Sequence, residues 1–130
     1  MSFYEDNEDI KYIIHKYSNQ NINFNEVYKN EIDLTLNSEN SEDFEASVSL
    51  LTKCLFYDFI FYDNKDNCWC YYNNNILKKS KKHIIYITLV KTILVKIYNN
   101  INCQNIIIKI QNPKFISNLI KLAICDFNKN

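Results

Sequence analysis

The chain contains no glycine, and this absence limits its possible folds and functions more than any other feature of the sequence. Glycine adopts positive φ without steric cost and lets the backbone approach a bound phosphate closely. Gly-rich phosphate loops, dinucleotide fingerprints and nucleophile elbows all need such backbone. We therefore exclude nucleotide-dependent enzymes and lipase-like hydrolases that use these loops. Asparagine should replace glycine at positive φ, for example in the polar break Asn19–Asn21.

The basic residues are equally biased in type, because all 15 of them are lysine. Without arginine there are no arginine fingers and no bidentate guanidinium contacts. Residues with AT-rich codons, namely Asn, Ile, Lys and Tyr, are abundant, which indicates an AT-rich genome. A length of 130 residues with 47% hydrophobic residues is typical of one domain over residues 1–130.

Charge is distributed unevenly along the chain although the formal net charge is zero. Residues 1–45 carry eleven acidic residues and three lysines, whereas residues 46–130 carry twelve lysines and four aspartates. We divide the chain into an acidic N-terminal segment, 1–40, and a basic body, 41–130. Either the acidic segment folds onto the body, or the body faces an anionic partner. A lysine-rich solvated surface is the third interpretation.

The N-terminal half shows both helical and strand periodicity. Acidic residues followed by Ile10, Ile13, Ile14 and Tyr17 predict a helix over about 7–18. Alternating apolar residues on either side of Lys29-Asn30 predict a β-hairpin over 22–36. A central helix is predicted to start after an N-cap at Asn40 or Ser41. Its expected buried residues are Phe44, Val48, Leu51 and Leu55, together with Leu50 and Cys54.

The C-terminal half is rich in β-branched and aromatic runs, which favour strands. The predicted strands are Phe59–Tyr62, Cys68–Tyr72, Ile84–Val90, Ile93–Tyr98 and Ile106–Ile110. Asn112 followed by Pro113 predicts the start of a last helix. The predicted class is α+β: a short N-terminal helix and β-hairpin, a central helix, an antiparallel β-meander, and a C-terminal helix packed on the sheet.

Cysteine usage and the N-terminus indicate an intracellular, cytoplasmic protein with no membrane partner. Five cysteines, an odd number, without a signal-peptide pattern favour reduced thiols. Cys68 and Cys70 share one face of a strand and could bind a metal with Cys103, Cys125 or His83. Because paired ligands are usually spaced more widely and free cysteines are commonly buried, we predict no metal and no cofactor.

The sequence shows no arrangement of residues that predicts catalysis. His15 and His83 are the only imidazoles, and no motif pairs either of them with a cysteine nucleophile. Asp58, Asp63 and Asp66 do not have the spacing of a calcium loop. We therefore predict that the protein is not an enzyme and has no small-molecule substrate.

The strongest local feature is a lysine cluster that follows a run of aromatic residues. Lys78, Lys79, Lys81 and Lys82 precede His83, and their mutual repulsion would be relieved by phosphates. Trp69 and Tyr72, just upstream, could stack on bases or fill an anchoring pocket. We predict a non-catalytic accessory factor that docks this Lys-rich hairpin on a ribosome or another ribonucleoprotein, with RNA contacts through the lysines. The alternative is a solvated hairpin whose lysines protect a sheet edge.

The region from Phe44 to Ile116 resembles the FP domain of proteasome regulators. It is similar in its order of a helix beginning Phe44-Glu-Ala-Ser-Val-Ser-Leu-Leu, a strand, a hairpin and the runs Ile84–Val90 and Ile93–Tyr98. The resemblance ends at Phe115-Ile116. It implies a protein–protein regulator of the proteasome.

A second resemblance is to the linker domain of viral primase–helicases. The similar stretches are Trp69-Cys-Tyr-Tyr-Asn-Asn and Asn112-Pro-Lys-Phe-Ile. This resemblance implies an accessory component of a viral replication machinery.

Overall fold

The computed structural model describes residues 2–4, 7–18, 22–80 and 82–128, with side chains from Ile10 onward. Its elements are β1 (Ser2–Tyr4), α1 (Asn7–Ser18), α2 (Phe24–Val27), α3 (Lys29–Ser38), α4 (Phe44–Phe56), β2 (Ile60–Asp63), β3 (Cys68–Asn73), β4 (Ile76–Ser80), α5 (Ile84–Leu89), a π-helical turn (Val90–Leu94), α6 (Val95–Asn100), α7 (Gln104–Ile110) and α8 (Pro113–Asp126). The fold is α+β with a C-terminal helix after the strands, which confirms the predicted class.

The strands form one sheet in the order β1-β4-β3-β2. Strands β2, β3 and β4 make an antiparallel meander, and β1 lies parallel to β4. The predicted strands at Phe59–Tyr62 and Cys68–Tyr72 correspond to β2 and β3. The sequence does not predict β4, because the lysines of this segment obscure the alternation of a strand. Strand β3 directs Trp69 and Tyr71 into the core, where their cross-strand partners Ile60 and Tyr62 are also buried.

The predicted strands Ile84–Val90, Ile93–Tyr98 and Ile106–Ile110 are wrong, because these segments are helical. Their β-branched residues are tolerated in helices that are buried by tertiary packing. Ile85, Leu89, Ile93 and Ile97 are all buried and recur every four residues. A four-residue spacing drifts by about 40° per step around an α-helix. The π-helical turn contributes one extra residue, which brings the buried stripe back onto one face.

The predicted hairpin over 22–36 is also wrong, because α2 and α3 occupy that segment. The buried residues of α3 are Ile32, Thr35 and Ser38, whose spacing of three is helical. Leu34, which the alternating pattern had placed with the apolar set, is exposed. The 1–40 segment is therefore not an α-β-β unit.

Three of the predicted helices are confirmed as α1, α4 and α8. The N-cap of α8 is Asn112, whose side-chain oxygen accepts hydrogen bonds from the backbone N–H groups of Lys114 and Phe115. In α4, the expected stripe is buried, but Leu50 and Cys54 are exposed, so their placement in the core was wrong. The N-cap of α4 is Asp43 rather than Asn40 or Ser41.

Asparagine replaces glycine at the turns as the composition predicts. Asn67, Asn74, Asn75 and Asn102 all have positive φ. The residues Asn19–Asn21, for which this was expected, lie outside the described part of the chain. The replacement is physically reasonable, because a short polar side chain tolerates left-handed backbone better than other side chains do.

The N-terminal helices share the hydrophobic core of the body. The hydroxyl of Tyr17 in α1 donates a hydrogen bond of 2.7 Å to the carbonyl oxygen of Leu55 in α4. Lys109 of α7 forms an ion pair of 3.1 Å with Glu39. The acidic segment thus does contact the basic body, and at this position an acidic and a basic residue are paired.

The last helix, α8, packs along α4, where the rings of Phe44 and Phe115 lie 5.4 Å apart. The chain reaches the sheet just after the end of α8, where the backbone N–H of Tyr62 donates to the carbonyl oxygen of Phe127 at 2.8 Å. The main packing partner of α8 is therefore the helix α4, and the residue that follows α8 joins the sheet. Among the described helices, none combines the length and apolar character needed to cross a bilayer.

Candidate functional site

Trp69 is a core residue and not the exposed anchor that the sequence suggested. Its side chain is 0% exposed. The indole stacks on Tyr86 with ring centroids 4.9 Å apart and contacts the edges of Tyr62 and Phe127. A side chain enclosed by three aromatic rings cannot contact a docked partner, so this assignment is corrected.

The imidazole of His83 is hydrogen-bonded to a core residue and is not an exposed cation. His83 lies at the start of α5 with a left-handed backbone, φ 62°, and its Nδ1 accepts a hydrogen bond of 2.9 Å from the indole Nε1 of Trp69. Burial lowers the pKa of His83 from its ordinary value, so the imidazole is neutral near pH 7. A neutral imidazole whose Nδ1 is occupied contributes no charge to phosphate binding.

The lysines do not form the hairpin tip that the sequence predicted. The tip of the β3–β4 hairpin is Asn74-Asn75, and Lys78 and Lys79 lie on β4 itself. Successive strand residues point to opposite faces, so these two ammonium groups diverge. The ammonium group of Lys79 forms a salt bridge with the carboxylate of Asp66 in the β2–β3 turn. Lys82 is exposed in the turn after β4, and Lys81 lies outside the described residues.

The sheet has a second face that carries aromatic and apolar residues outside the core. We call it the outer sheet face and define it, from the cross-strand register, by Phe61, Asp63, Cys68, Cys70, Tyr72, Leu77 and Lys79. None of these residues belongs to the core cluster or to the partly buried hydrophobic residues packed against it. Tyr72 is 61% exposed, and its ring lies 6.5 Å from that of Phe61.

Phe61 and Leu77 are members of this face that sequence reasoning missed. Phe61 stands between the buried residues Ile60 and Tyr62, and all three are apolar or aromatic. The alternation that separates two sheet faces is therefore invisible in the sequence of β2. Only its pairing with Cys70 on β3 shows which face Phe61 occupies.

A second exposed apolar surface lies on α4. Leu50, Cys54 and Tyr57 follow one another at helical spacing, and with Lys53 and Asp58 they line an open cavity of about 440 Å³. We call this surface the α4 groove. Burial and the charge of Glu31 raise the pKa of Cys54, so its thiol is protonated near neutral pH.

The structure does not bring the candidate catalytic and metal-binding residues together. Within the described residues, no group of three or more His, Cys, Asp or Glu side chains is placed to hold a metal ion. Cys103 and Cys125 therefore do not join Cys68 and Cys70 in a metal centre. His15 is exposed on α1, and it forms no such group with the cysteines.

Comparison with models of known protein families, with curated proteins and with solved structures finds no match to this chain. The resemblances to the FP domain and to the viral linker domain therefore stay predictions.

Proposed function

We propose that this protein is a non-catalytic binding factor that docks on RNA of a ribonucleoprotein, such as a ribosome, through its outer sheet face. The observation that carries this proposal is the exposure of Tyr72 beside Phe61 on a sheet face outside the core. An exposed tyrosine on a strand offers a flat surface to an unpaired base. Sheets that present aromatic side chains in this way are a recurrent means of binding single-stranded RNA.

Stacking on Tyr72 would contribute to the free energy of RNA binding. Base–aromatic stacking contributes about 1–3 kcal/mol per base and tolerates any base, because every base has a π-face. Tyr72 can supply one such contact, and Phe61 supports its ring from the adjacent strand. This arrangement favours a single-stranded partner over a duplex, whose bases are already stacked.

The charge of the sheet region supports an anionic partner. Residues 60–83 contain five lysines and only two aspartates. Lys82 is exposed at the end of β4, while Lys79 lies on the same face as Tyr72 and is bonded to Asp66. The excess positive charge would attract phosphates and release counterions on binding. The positive charge therefore belongs to the region as a whole rather than to one converging set of ammonium groups.

The test is a titration of the purified chain with short single-stranded RNA at several salt concentrations. We expect binding that weakens as salt rises, with a log–log slope of about −0.7 for each phosphate contact. Tyr72→Ala should weaken binding about 5-fold to 150-fold, the equivalent of one lost stacking contact. Tyr57→Ala removes an exposed tyrosine of α4 and should leave RNA binding unchanged.

Two results would overturn this proposal. One is the absence of salt-dependent RNA binding, and the other is a Tyr72→Ala variant that binds as tightly as the unaltered chain. Substitution of Lys82 by Ser should reduce the salt slope by roughly one phosphate contact. Thermal unfolding of each variant shows whether a loss of binding reflects a loss of fold.

A second candidate function is a protein–protein regulator, as the FP-domain resemblance implies. The α4 groove favours it, because Leu50 and Tyr57 expose apolar surface beside Lys53 and Asp58. In that case Tyr57→Ala should cost about 2 kcal/mol of binding or more if Tyr57 is a hot spot. The same substitution is the control for RNA binding, so one pair of variants separates the two functions.

A further inference from the structure

The lysine of the outer sheet face is paired with a carboxylate of the protein itself. Among the residues that define this face, Lys79 is the only basic one. Its ammonium group forms a salt bridge with Asp66, which lies 13 residues earlier in the chain, in the β2–β3 turn. The side chain of Lys79 is 21% exposed and that of Asp66 is 49% exposed. A dissolved anion can therefore reach the pair from the side of Asp66.

The β2–β3 turn positions Asp66 beside the outer sheet face. At the end of β2, the carboxylate of Asp63 accepts a hydrogen bond of 2.9 Å from the backbone N–H of Lys65. Such a bond from an aspartate to the backbone two residues on is a common way to stabilise a turn. On the other side of Asp66, Asn67 has a positive φ of 52°, and the chain then enters β3. The backbone is thus constrained on both sides of Asp66.

The salt bridge lies where a nucleic acid strand stacked on Tyr72 would place a phosphate. Leu77 is directly opposite Tyr72 in the register of β3 and β4, and Lys79 is two residues further along the same face. Two residues of a strand span only about 6.6 Å. Lysine ammonium groups are common partners of nucleic acid phosphates. A phosphate next to a base stacked on Tyr72 would therefore compete with Asp66 for Lys79.

We propose that Asp66 is an internal competitor of RNA, whose carboxylate occupies the phosphate-binding position of Lys79 and weakens docking on the outer sheet face; this role rests on the proposed function. Two anions repel each other, so a phosphate must displace the carboxylate to bind Lys79 fully. Partly exposed salt bridges are weak. The inhibition is therefore partial, and Asp66 lowers the affinity for RNA without closing the face.

The experiment measures the affinity of the full chain and its variants for one short single-stranded RNA. Asp66→Asn should bind this RNA about two- to fivefold more tightly than the unaltered chain, the range that corresponds to one partly exposed salt bridge. The gain should shrink as salt rises, because salt screens the competition between the two anions. The matched control is Asp33→Asn, which removes the aspartate of another lysine salt bridge, that with Lys29 on α3, and should leave RNA binding unchanged.

Lys79→Ser separates direct competition from a general effect of charge. If Asp66 acts through Lys79, the loss of affinity caused by Lys79→Ser should be at least about twofold larger in the Asp66→Asn chain than in the unaltered chain, because groups that share a partner are not additive. Equal losses in the two chains would overturn the proposal. Emission from Trp69, the single tryptophan of the chain, reports whether each variant keeps its fold.

Comparison of the unaltered chain with Asp66→Asn separates the role of Asp66 from RNA binding itself. If the unaltered chain binds RNA and Asp66→Asn binds it no more tightly, Asp66 is not a competitor, although the proposed function stands. If neither chain binds RNA, both proposals are overturned. If only Asp66→Asn binds RNA, competition by Asp66 is supported and is strong enough to block the face.

Discussion

The indole Nε1 of Trp69 donates a hydrogen bond of 2.9 Å to Nδ1 of His83, and this bond requires that Nδ1 carry no proton. The contact links β3 to the start of α5. Nearby, the buried hydroxyl of Ser80 accepts a hydrogen bond of 3.0 Å from the backbone N–H of Ile85. The first turn of α5 is therefore attached to the sheet by two side chains that the sequence had suggested were part of a solvated loop.

We expect the stability of the protein to fall as the pH decreases below about 6.5, the ordinary value for histidine. Burial lowers the pKa of His83, so the unfolded chain binds a proton at a pH where the folded chain does not. The contribution of the neutral His83 to the free energy of unfolding is fully present above the pKa of the unfolded chain, and it is lost as the pH falls through the pKa of the folded chain. Denaturant unfolding at a series of pH values measures this loss.

His83→Asn tests the assignment, because asparagine tolerates the left-handed backbone but does not titrate. The variant should lose about 1–3 kcal/mol near pH 7, since the buried indole N–H loses its acceptor. Its stability should vary less with pH than that of the unaltered chain in the same window. His15→Asn, at an exposed position of α1, should retain the acid-dependent loss. If His83→Asn retains that loss as well, the cause lies elsewhere.

The buried hydroxyls of Thr52 and Tyr86 form a pair with a defined direction. Thr52 donates its hydrogen to the carbonyl oxygen of Ser49 at 2.8 Å, so Tyr86 must donate to Thr52 across 2.9 Å. Tyr86→Phe should therefore cost about 1 kcal/mol, whereas Thr52→Val should cost about 1–3 kcal/mol because it leaves the tyrosine hydroxyl unpaired. Denaturant unfolding of both single variants and the double variant measures their coupling.

The matched control for this pair is Tyr72→Phe, which removes a hydroxyl from a largely exposed ring. It should change stability by less than about 0.5 kcal/mol. Equal costs for Tyr86→Phe and Tyr72→Phe would show that the buried hydroxyl pair contributes nothing. Burial raises the pKa of Tyr86 above its ordinary value, so Tyr86 should also stay protonated at a pH where exposed tyrosines ionise.

Adjacent leucines of α4 should respond very differently to truncation. Leu51 is 0% exposed and Leu50 is 42% exposed. Leu51→Ala removes fully packed methyl groups and should cost about 2–5 kcal/mol. Leu50→Ala should cost less than about 1 kcal/mol, because alanine is the better helix former and little buried surface is lost. Urea unfolding of the two variants compares them, and a large loss for Leu50→Ala would place this side chain in a core.

The sequence predicts helices correctly where a single local signal determines the structure. Amphipathic spacing with polar flanks located α1 and α4, and the pair Asn112-Pro113 located the start of α8. These signals depend on local backbone chemistry, so they hold whatever the rest of the chain does. The class α+β followed from these helices together with the correctly predicted strands β2 and β3.

Sequence reasoning failed where tertiary burial overrides local preference. The isoleucine-rich segment from Ile84 to Asn100 looks like strand by propensity, yet it is a helix buried on several sides. A continuous apolar run does not distinguish a central strand from a buried helix. The four-residue recurrence from Ile85 to Ile97 was the available signal for a helix, but on a regular α-helix it drifts around the axis, and only the extra residue of the π-helical turn keeps it on one face.

The candidate site was predictable only in part. Tyr72 was identified from the sequence, whereas the burial of Trp69 depends on Tyr86 and Phe127, which come from distant parts of the chain. Which face of the sheet Lys78 and Lys79 occupy depends on the cross-strand register. A one-residue shift in register would exchange the two faces, and the sequence does not specify it.

The β3–β4 turn provides a last test, because a chain without glycine uses asparagine at both of its central positions. Asn74 and Asn75 have φ values of 53° and 66°, as the tight hairpin turn requires. Asn75→Gly should stabilise the protein by a few tenths to about 1 kcal/mol, and Asn75→Val should destabilise it by about 1–2 kcal/mol. Thermal unfolding measures both. The control Asn105→Gly, in α7, should be slightly destabilising because glycine is the poorer helix former. If Asn75→Gly also lowers the free energy of unfolding, then the gain from removing steric strain at positive φ is smaller than the cost of the extra conformational entropy that glycine gives the unfolded chain.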